Sequence, residues 1–203
     1  MKATGKQVML EYGKTYHIFN KANGNDKLFI THSDYFYFLK KLQRFLLPWI
    51  DVIAYCLIPN HFHLLITVKG IEEVQSEQYH LKQLSNYDLS KAFGNFFNSY
   101  TRSFNKVHDR QGKLFLLPFK RLEVKDDSYL TYLICYIHRN PIHHGLVDDY
   151  HEWEFSSYNA ILSDRPTQIK RELIISMFGS KEEFVSFHQE NRTKKGLKEY
   201  LLE

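Results

Sequence analysis

Residues 51–68 read DVIAYCLIPNHFHLLITV, two apolar runs separated by Ile58-Pro59-Asn60. Each run is too short for a helix of its own and is rich in β-branched residues. They therefore read as two strands, Asp51 to Leu57 and His61 to Val68, joined as a hairpin. Side chains alternate faces along a strand. His61 and His63 thus share one face, while Phe62 between them turns to the other and packs into a core. Two imidazoles on one face of one strand can reach a common divalent cation.

The flanking segments extend this hairpin into a fold. Thr15 to Asn20 (TYHIFN) alternates and reads as a first strand, followed by a loop at Asn23-Gly24-Asn25-Asp26. Ser33 is placed to cap a helix that runs to about Leu47 and closes at Pro48. Leu84, Leu89, Phe93 and Phe97 give helical periodicity from Leu81 to about Asn105, with Ser85, Asn86 or Ser90 as start signals. Phe119 to Val124 is a fourth strand. Asp127 or Ser128 then caps a helix through Tyr129, Leu133, Tyr136 and Ile137, stopped by Asn140-Pro141. The order β-α-β-β-α-β plus a helix predicts an α+β, ferredoxin-like split βαβ antiparallel sheet with helices on one face. Residues 1–165 form one domain in this reading. Residues 166–203, with ELIISMFG, EEFVSFH and the charged tail RTKKGLKEYLLE, form a C-terminal helical appendage that caps the domain, contacts DNA or mediates pairing.

Composition narrows the class. With 43% hydrophobic and 25% charged residues in 203, the chain is of the soluble globular type and long enough for a real core. No apolar run reaches the length of a membrane span, and the N-terminus lacks the apolar segment of a signal peptide. Cys56 and Cys135, both in apolar surroundings, read as buried reduced thiols, which points to a cytoplasmic protein. The net charge of +4 permits a polyanionic partner. Its distribution is more telling, because Arg102, Lys106, Arg110, Lys113, Lys120 and Arg121 face only Asp109 between positions 102 and 121. Phe104, Phe115 and Phe119 are interleaved among them. Basic heads with aromatic faces can grip a nucleic-acid single strand; a solvated turn with core phenylalanines is the other reading.

Tyr136 and Asn140 lie four apart on a helical stretch, hence on one face. Asn140 can offer an amide oxygen to the cation held by His61 and His63, and Tyr136 can present its phenol to that ion. Two imidazoles and an amide oxygen form a neutral, open ligand set, which suits Mg²⁺ or Mn²⁺ acting on a phosphodiester, with the tyrosinate attacking phosphorus in line. Tyr129 and Tyr132 are alternative phenols. His143 and His144 read either as phosphate contacts or as surface loop.

YCLIPNHFHLLI (55–66) resembles the histidine-hydrophobic-histidine segment of single-tyrosine transposases, and YIHRNPIHHGLV (136–147) resembles the tyrosine-helix motif of their REP-associated branch. Residues 16–29, 99–130 and WEFSSY (153–158) are similar to that family's first strand, connecting region and closing motif, so the likeness spans roughly 12–160. The resemblance implies a metal-dependent DNA endonuclease and strand transferase acting on single-stranded or hairpin DNA. It carries over His61, His63 and Asn140 as ligands of Mg²⁺ or Mn²⁺. It makes Tyr136 the nucleophile of a 5′-phosphotyrosine intermediate that frees a 3′-hydroxyl. The rival readings are a non-catalytic nucleic-acid-binding module on the same fold and a metal-dependent hydrolase using water. Oligomeric state stays open between a monomer and a homodimer, because the tyrosine helix can serve its own subunit or a partner's.

Overall fold

The computed structural model describes residues 8–77, 85–126 and 129–191. Four strands form one sheet: β1 (Thr15–Lys21), β2 (Ile50–Ile58), β3 (His61–Val68) and β4 (Lys120–Val124). Their order is β2-β3-β1-β4, and every neighbouring pair is antiparallel. This is the split βαβ arrangement expected from the sequence, with α1 (His32–Phe45) and α3 (Asn86–Val107) packed together on one face. A short helix α2 (Ile71–Glu77), which no sequence signal announced, follows β3.

The β2 and β3 strands are largely apolar on both sides because both sides are covered. Phe62, Leu64, Ile66 and Val68 of β3 enter a core with Phe38, Leu42, Phe93, Phe96 and Tyr100 of α1 and α3. Leu65 turns the other way, into a second core with Leu133, Ile134 and Ile137. A bulge between Val52 and Ala54 admits Ile53 as an extra residue, so Val52 faces the first core while Ile53 and Ala54 face the second. The second core is built by α4 (Leu130–His143), α5 (Tyr158–Leu162), α6 (Arg171–Phe178) and α7 (Lys181–Glu190). Helices therefore cover both faces of the sheet: the two crossover helices share one face as expected, and the tyrosine helix adds a layer on the other. Ile174, Phe184 and His188, from the described part of residues 166–203, are buried in that second core.

Local chemistry sets the element ends. The first helix is capped by Thr31 rather than Ser33, because Asp34 at its third position accepts from the Ile30 and Thr31 N–H groups and closes a capping box. Ser85 and Asp88 repeat this device on α3; residues 81–84 of the expected helix lie outside the described residues, as do Asp127 and Ser128. The helix expected to stop at Asn140-Pro141 runs on to His143 with Pro141 inside its last turn. A proline there removes only one helical N–H donor, and Asn140 and Ile142 carbonyls still accept from the His144 backbone. Pro59-Asn60 closes the β2–β3 hairpin. The Pro59 carbonyl accepts from Leu28 and Phe29 and the Asn60 carbonyl from Ala22, which ties the hairpin tip to the loop after β1.

A buried chain of hydrogen bonds fastens α7 to α4. His188 Nδ1 donates to the Phe184 carbonyl at 2.7 Å, so neutral His188 presents Nε2 as an acceptor. His138 Nδ1 donates to it at 2.9 Å, and Ser157 Oγ donates to His138 Nε2 at 2.7 Å. The sense of each bond follows from the first, because a carbonyl can only accept. Cys56 and Cys135 are buried and unbridged. Among the described residues no helix is long and apolar enough to cross a membrane.

Candidate metal and tyrosine site

The histidine face of β3 meets the C-terminal half of α4, and this contact assembles the site. The His61 and His63 rings stand 5.2 Å apart, edge to face. His61 Nε2 lies 3.4 Å from Asn140 Oδ1. Tyr136 presents its ring edge-on to His63 at 5.6 Å. Tyr136 and both histidines meet within the same chain. Tyr132 packs instead against Phe187, and Tyr129 lines a cleft beside His17. The ring beside the histidines is therefore that of Tyr136.

The orientation of the donors can be read from their other bonds. Asn140 Nδ2 donates to the Tyr136 carbonyl at 3.1 Å, which turns Oδ1 toward His61. With Asn60 Oδ1 accepting from His61 Nδ1 at 2.9 Å, His61 Nε2 carries a lone pair toward that same oxygen. In that tautomer two acceptors face each other and a cation between them would satisfy both; with its proton on Nε2 instead, His61 donates to Asn140 Oδ1. Their separation of 3.4 Å approaches the spacing of about 3.0 Å between adjacent donors of an octahedral ion with bonds of about 2.1 Å. Among the described residues no three His, Cys, Asp or Glu side chains form a metal cluster by themselves, so the set depends on the Asn140 amide. A neutral N,N,O set of this kind fits Mg²⁺ or Mn²⁺ with open positions for phosphate oxygens.

Burial keeps the His63 imidazole neutral and hence able to bind a metal. His63 is held far below the ordinary histidine range by desolvation, then by the neighbouring His17, His61 and His144. His17 is pushed down to about 3 by desolvation. Asn140 is 1% exposed and Tyr136 5%, so both side chains are buried where α4 meets the sheet.

Two residues join the site that sequence reasoning missed or left open. His17 Nε2 lies 3.0 Å from His63 Nδ1. Its signal was present in TYHIFN: Tyr16 and Ile18 face the first core, so a histidine between them must face the other side. His144, carried past Pro141 by the continuing helix, places its exposed ring 4.8 Å from His61.

The basic residues do not form one patch. Lys120 Nζ lies over the Phe19 ring, which itself stacks on His63, so Lys120 shares the face of the site. Arg121 points to the opposite face, stacked over Phe119 and half-buried, with Nε lacking a partner. Arg102 and Lys106 are exposed on α3, across the sheet from Tyr136, and Lys113 is exposed in the following loop. Arg110 is committed internally, to Asp26, to Asn105 Oδ1 and to the Lys113 carbonyl. Phe104 and Phe115, 3% and 5% exposed, belong to the first core, and Phe119 packs on Phe93 and Phe97. These phenylalanines offer no faces to bases; the reading as core residues holds for them.

No protein-family model matches the chain. A Haemophilus influenzae protein bearing the name of a REP-associated tyrosine transposase is 27% identical over 112 residues, which is 54% of this chain and 59% of the relative. The chain thus spans about three fifths of that relative's length. A solved structure described as a REP-associated tyrosine transposase bound to a REP hairpin matches with a TM-score of 0.60. That match covers 81% of this chain and 88% of the other, at 15% identity, and it speaks to the fold. In sequence this chain is similar to a REP-associated tyrosine transposase, and its α+β fold is the one such a protein adopts.

Proposed function

We propose that this chain is a transposase-type enzyme that cuts and rejoins single-stranded or hairpin DNA through a covalent bond to Tyr136. The observation that carries the reading is the meeting of Tyr136, His61, His63 and Asn140, from two distant segments, at one place between β3 and α4. The names of the sequence relative and of the fold neighbour support the same class.

In this reading His61, His63 and Asn140 hold Mg²⁺ or Mn²⁺. When bound, the ion supplies positive charge against the phosphate oxygens and lowers the barrier to displacement. The Tyr136 phenolic oxygen attacks phosphorus in line. An oxygen–phosphorus bond to tyrosine forms, the bond to the 3′ oxygen breaks, and the phenol proton passes in net to the departing 3′-hydroxyl. DNA stays attached through its 5′-phosphate. The phosphodiester is exchanged and not hydrolysed, so attack by a 3′-hydroxyl reverses the step and joins strands without ATP. Because the protein ligands are neutral, the ion's charge is left undiminished for the phosphate. Lys120 adds a further positive charge on this face.

The test is incubation of wild type and Tyr136→Phe with a labelled hairpin oligonucleotide and Mn²⁺. The wild type should give an SDS-resistant protein–DNA adduct that chelator abolishes, and the variant none. An adduct in the variant overturns the assignment. The burial of Tyr136 favours one rival, a binding module without turnover. Hairpin binding that ignores chelator, with no adduct from the wild type, would establish that rival.

A further inference from the structure

We infer that His17 is a positioning residue of the metal site, holding His63 in the one tautomer that can ligate the cation; the inference rests on the metal-site reading above. His17 lies on β1 two residues before Phe19, which stands directly opposite His63. The two histidines are thus diagonal neighbours on one face, where long side chains still meet. Their nitrogens are 3.0 Å apart and their rings stack at 5.2 Å with 22° between planes. Phe19 stacks on both rings, at 4.9 Å from His17 and 5.7 Å from His63, and fixes their tilt.

One proton lies between His17 Nε2 and His63 Nδ1, and its owner decides the chemistry. If His17 donates, His63 is left with its own proton on Nε2, and that nitrogen cannot bind a metal. If His63 donates from Nδ1, Nε2 carries the lone pair. His17 must then hold its proton on Nδ1, which needs an acceptor. The structure offers a route to one. His17 lines a cleft with Glu123, Lys125, Asp126 and Tyr129, so side chains able to accept a proton stand along the same cleft, while Nε2 faces His63. Ligating histidines characteristically have their second nitrogen fixed in this way, by an outer partner that sets tautomer and ring angle. Here the partner is a neutral imidazole where a carboxylate would serve other sites. The choice keeps negative charge away from the place an anionic phosphate must occupy.

Two measurements test this, neither of them turnover. Calorimetric titration of Mn²⁺ into wild type, His17→Phe and His17→Gln separates hydrogen bonding from packing. Phenylalanine keeps a ring against Phe19 and removes the acceptor; glutamine keeps an acceptor of similar reach. The expected result is an affinity loss of about 10–100-fold in the phenylalanine variant, largely recovered by glutamine. Equal affinity in wild type and His17→Phe overturns the proposal, as does equal loss in both variants. A wild type that takes up no Mn²⁺ overturns the metal-site reading itself, a failure visible before any variant is made. The second measurement needs no variant and stands if His17→Phe does not fold: ¹⁵N NMR of the wild type saturated with Mg²⁺. A proton on His63 Nδ1 and none on Nε2 is expected, and a proton on Nε2 overturns the proposal.

Discussion

Replacing His188 with phenylalanine should flatten the acid side of the stability profile. The His188 imidazole is packed among Tyr150, Tyr158, Phe178 and Phe184, and desolvation pushes its pKa down to about 4. In the unfolded chain it titrates near the ordinary value of about 6.5. As pH falls through that value the unfolded state takes up a proton that the folded state refuses. The stability held by neutral His188 is therefore complete above about pH 6.5 and drains away as pH falls toward about 4, at about 1.4 kcal/mol per unit and about 3 kcal/mol in all. His188→Phe has no such titration. It also leaves the buried His138 Nδ1–H without its acceptor, which costs about 1–3 kcal/mol at neutral pH. The variant should accordingly be less stable than wild type at about pH 7.5, with the gap closing as pH falls to about 4.5. Histidines outside this pair titrate in both proteins and cancel to first order; removing His188 also relieves its repulsion of charged His138, which flattens the variant's profile further. Urea denaturation across this range, with unchanged m-values, gives the difference directly. A gap that stays constant with pH would show that His188 ionises at an ordinary pKa, and the account of a dry second core would fail.

Further outcomes follow from the same geometry. Asn140→Ala should weaken Mn²⁺ binding by at least about tenfold in calorimetry while moving the urea midpoint little, since the Tyr136 carbonyl loses one weak side-chain donor. Lys120→Gln should lower the slope of log affinity for hairpin DNA against log salt by about one, whereas Arg110→Gln should leave that slope and reduce stability, because Arg110 is held by Asp26. Asp34→Ala should destabilise the protein by about 1–3 kcal/mol in urea denaturation, since Asp34 accepts from two backbone N–H groups and from His108.

The hairpin was readable because its two strands are buried on both faces, and a one-residue slip would have moved Phe62 out of the core and the histidines into it. For the same reason the shared face of His61 and His63 followed from spacing alone. Tyr136 and Asn140 were likewise readable from helical spacing. What escaped was set by contacts between segments. His17 meets His63 only through the β1–β3 register, which the sequence does not declare. The continuation of α4 past Pro141 depends on tertiary support for its last turn, and it is what brings His144 to His61. The second helical layer was hidden because α6 and α7 look like a detached amphipathic pair until α4 supplies the surface they cover. Within Arg102 to Arg121, β4 sends Lys120 to the face of Tyr136 and Arg121 to the other, a separation that closeness in sequence hides.

Tryptic mass spectrometry of the adduct formed with a hairpin oligonucleotide and Mn²⁺ addresses the central claim most directly. The account expects a nucleotide phosphate on Tyr136 and on no other residue of its peptide. A phosphate on Tyr129 or Tyr132, or free 5′-phosphate product with no modified peptide, would contradict it.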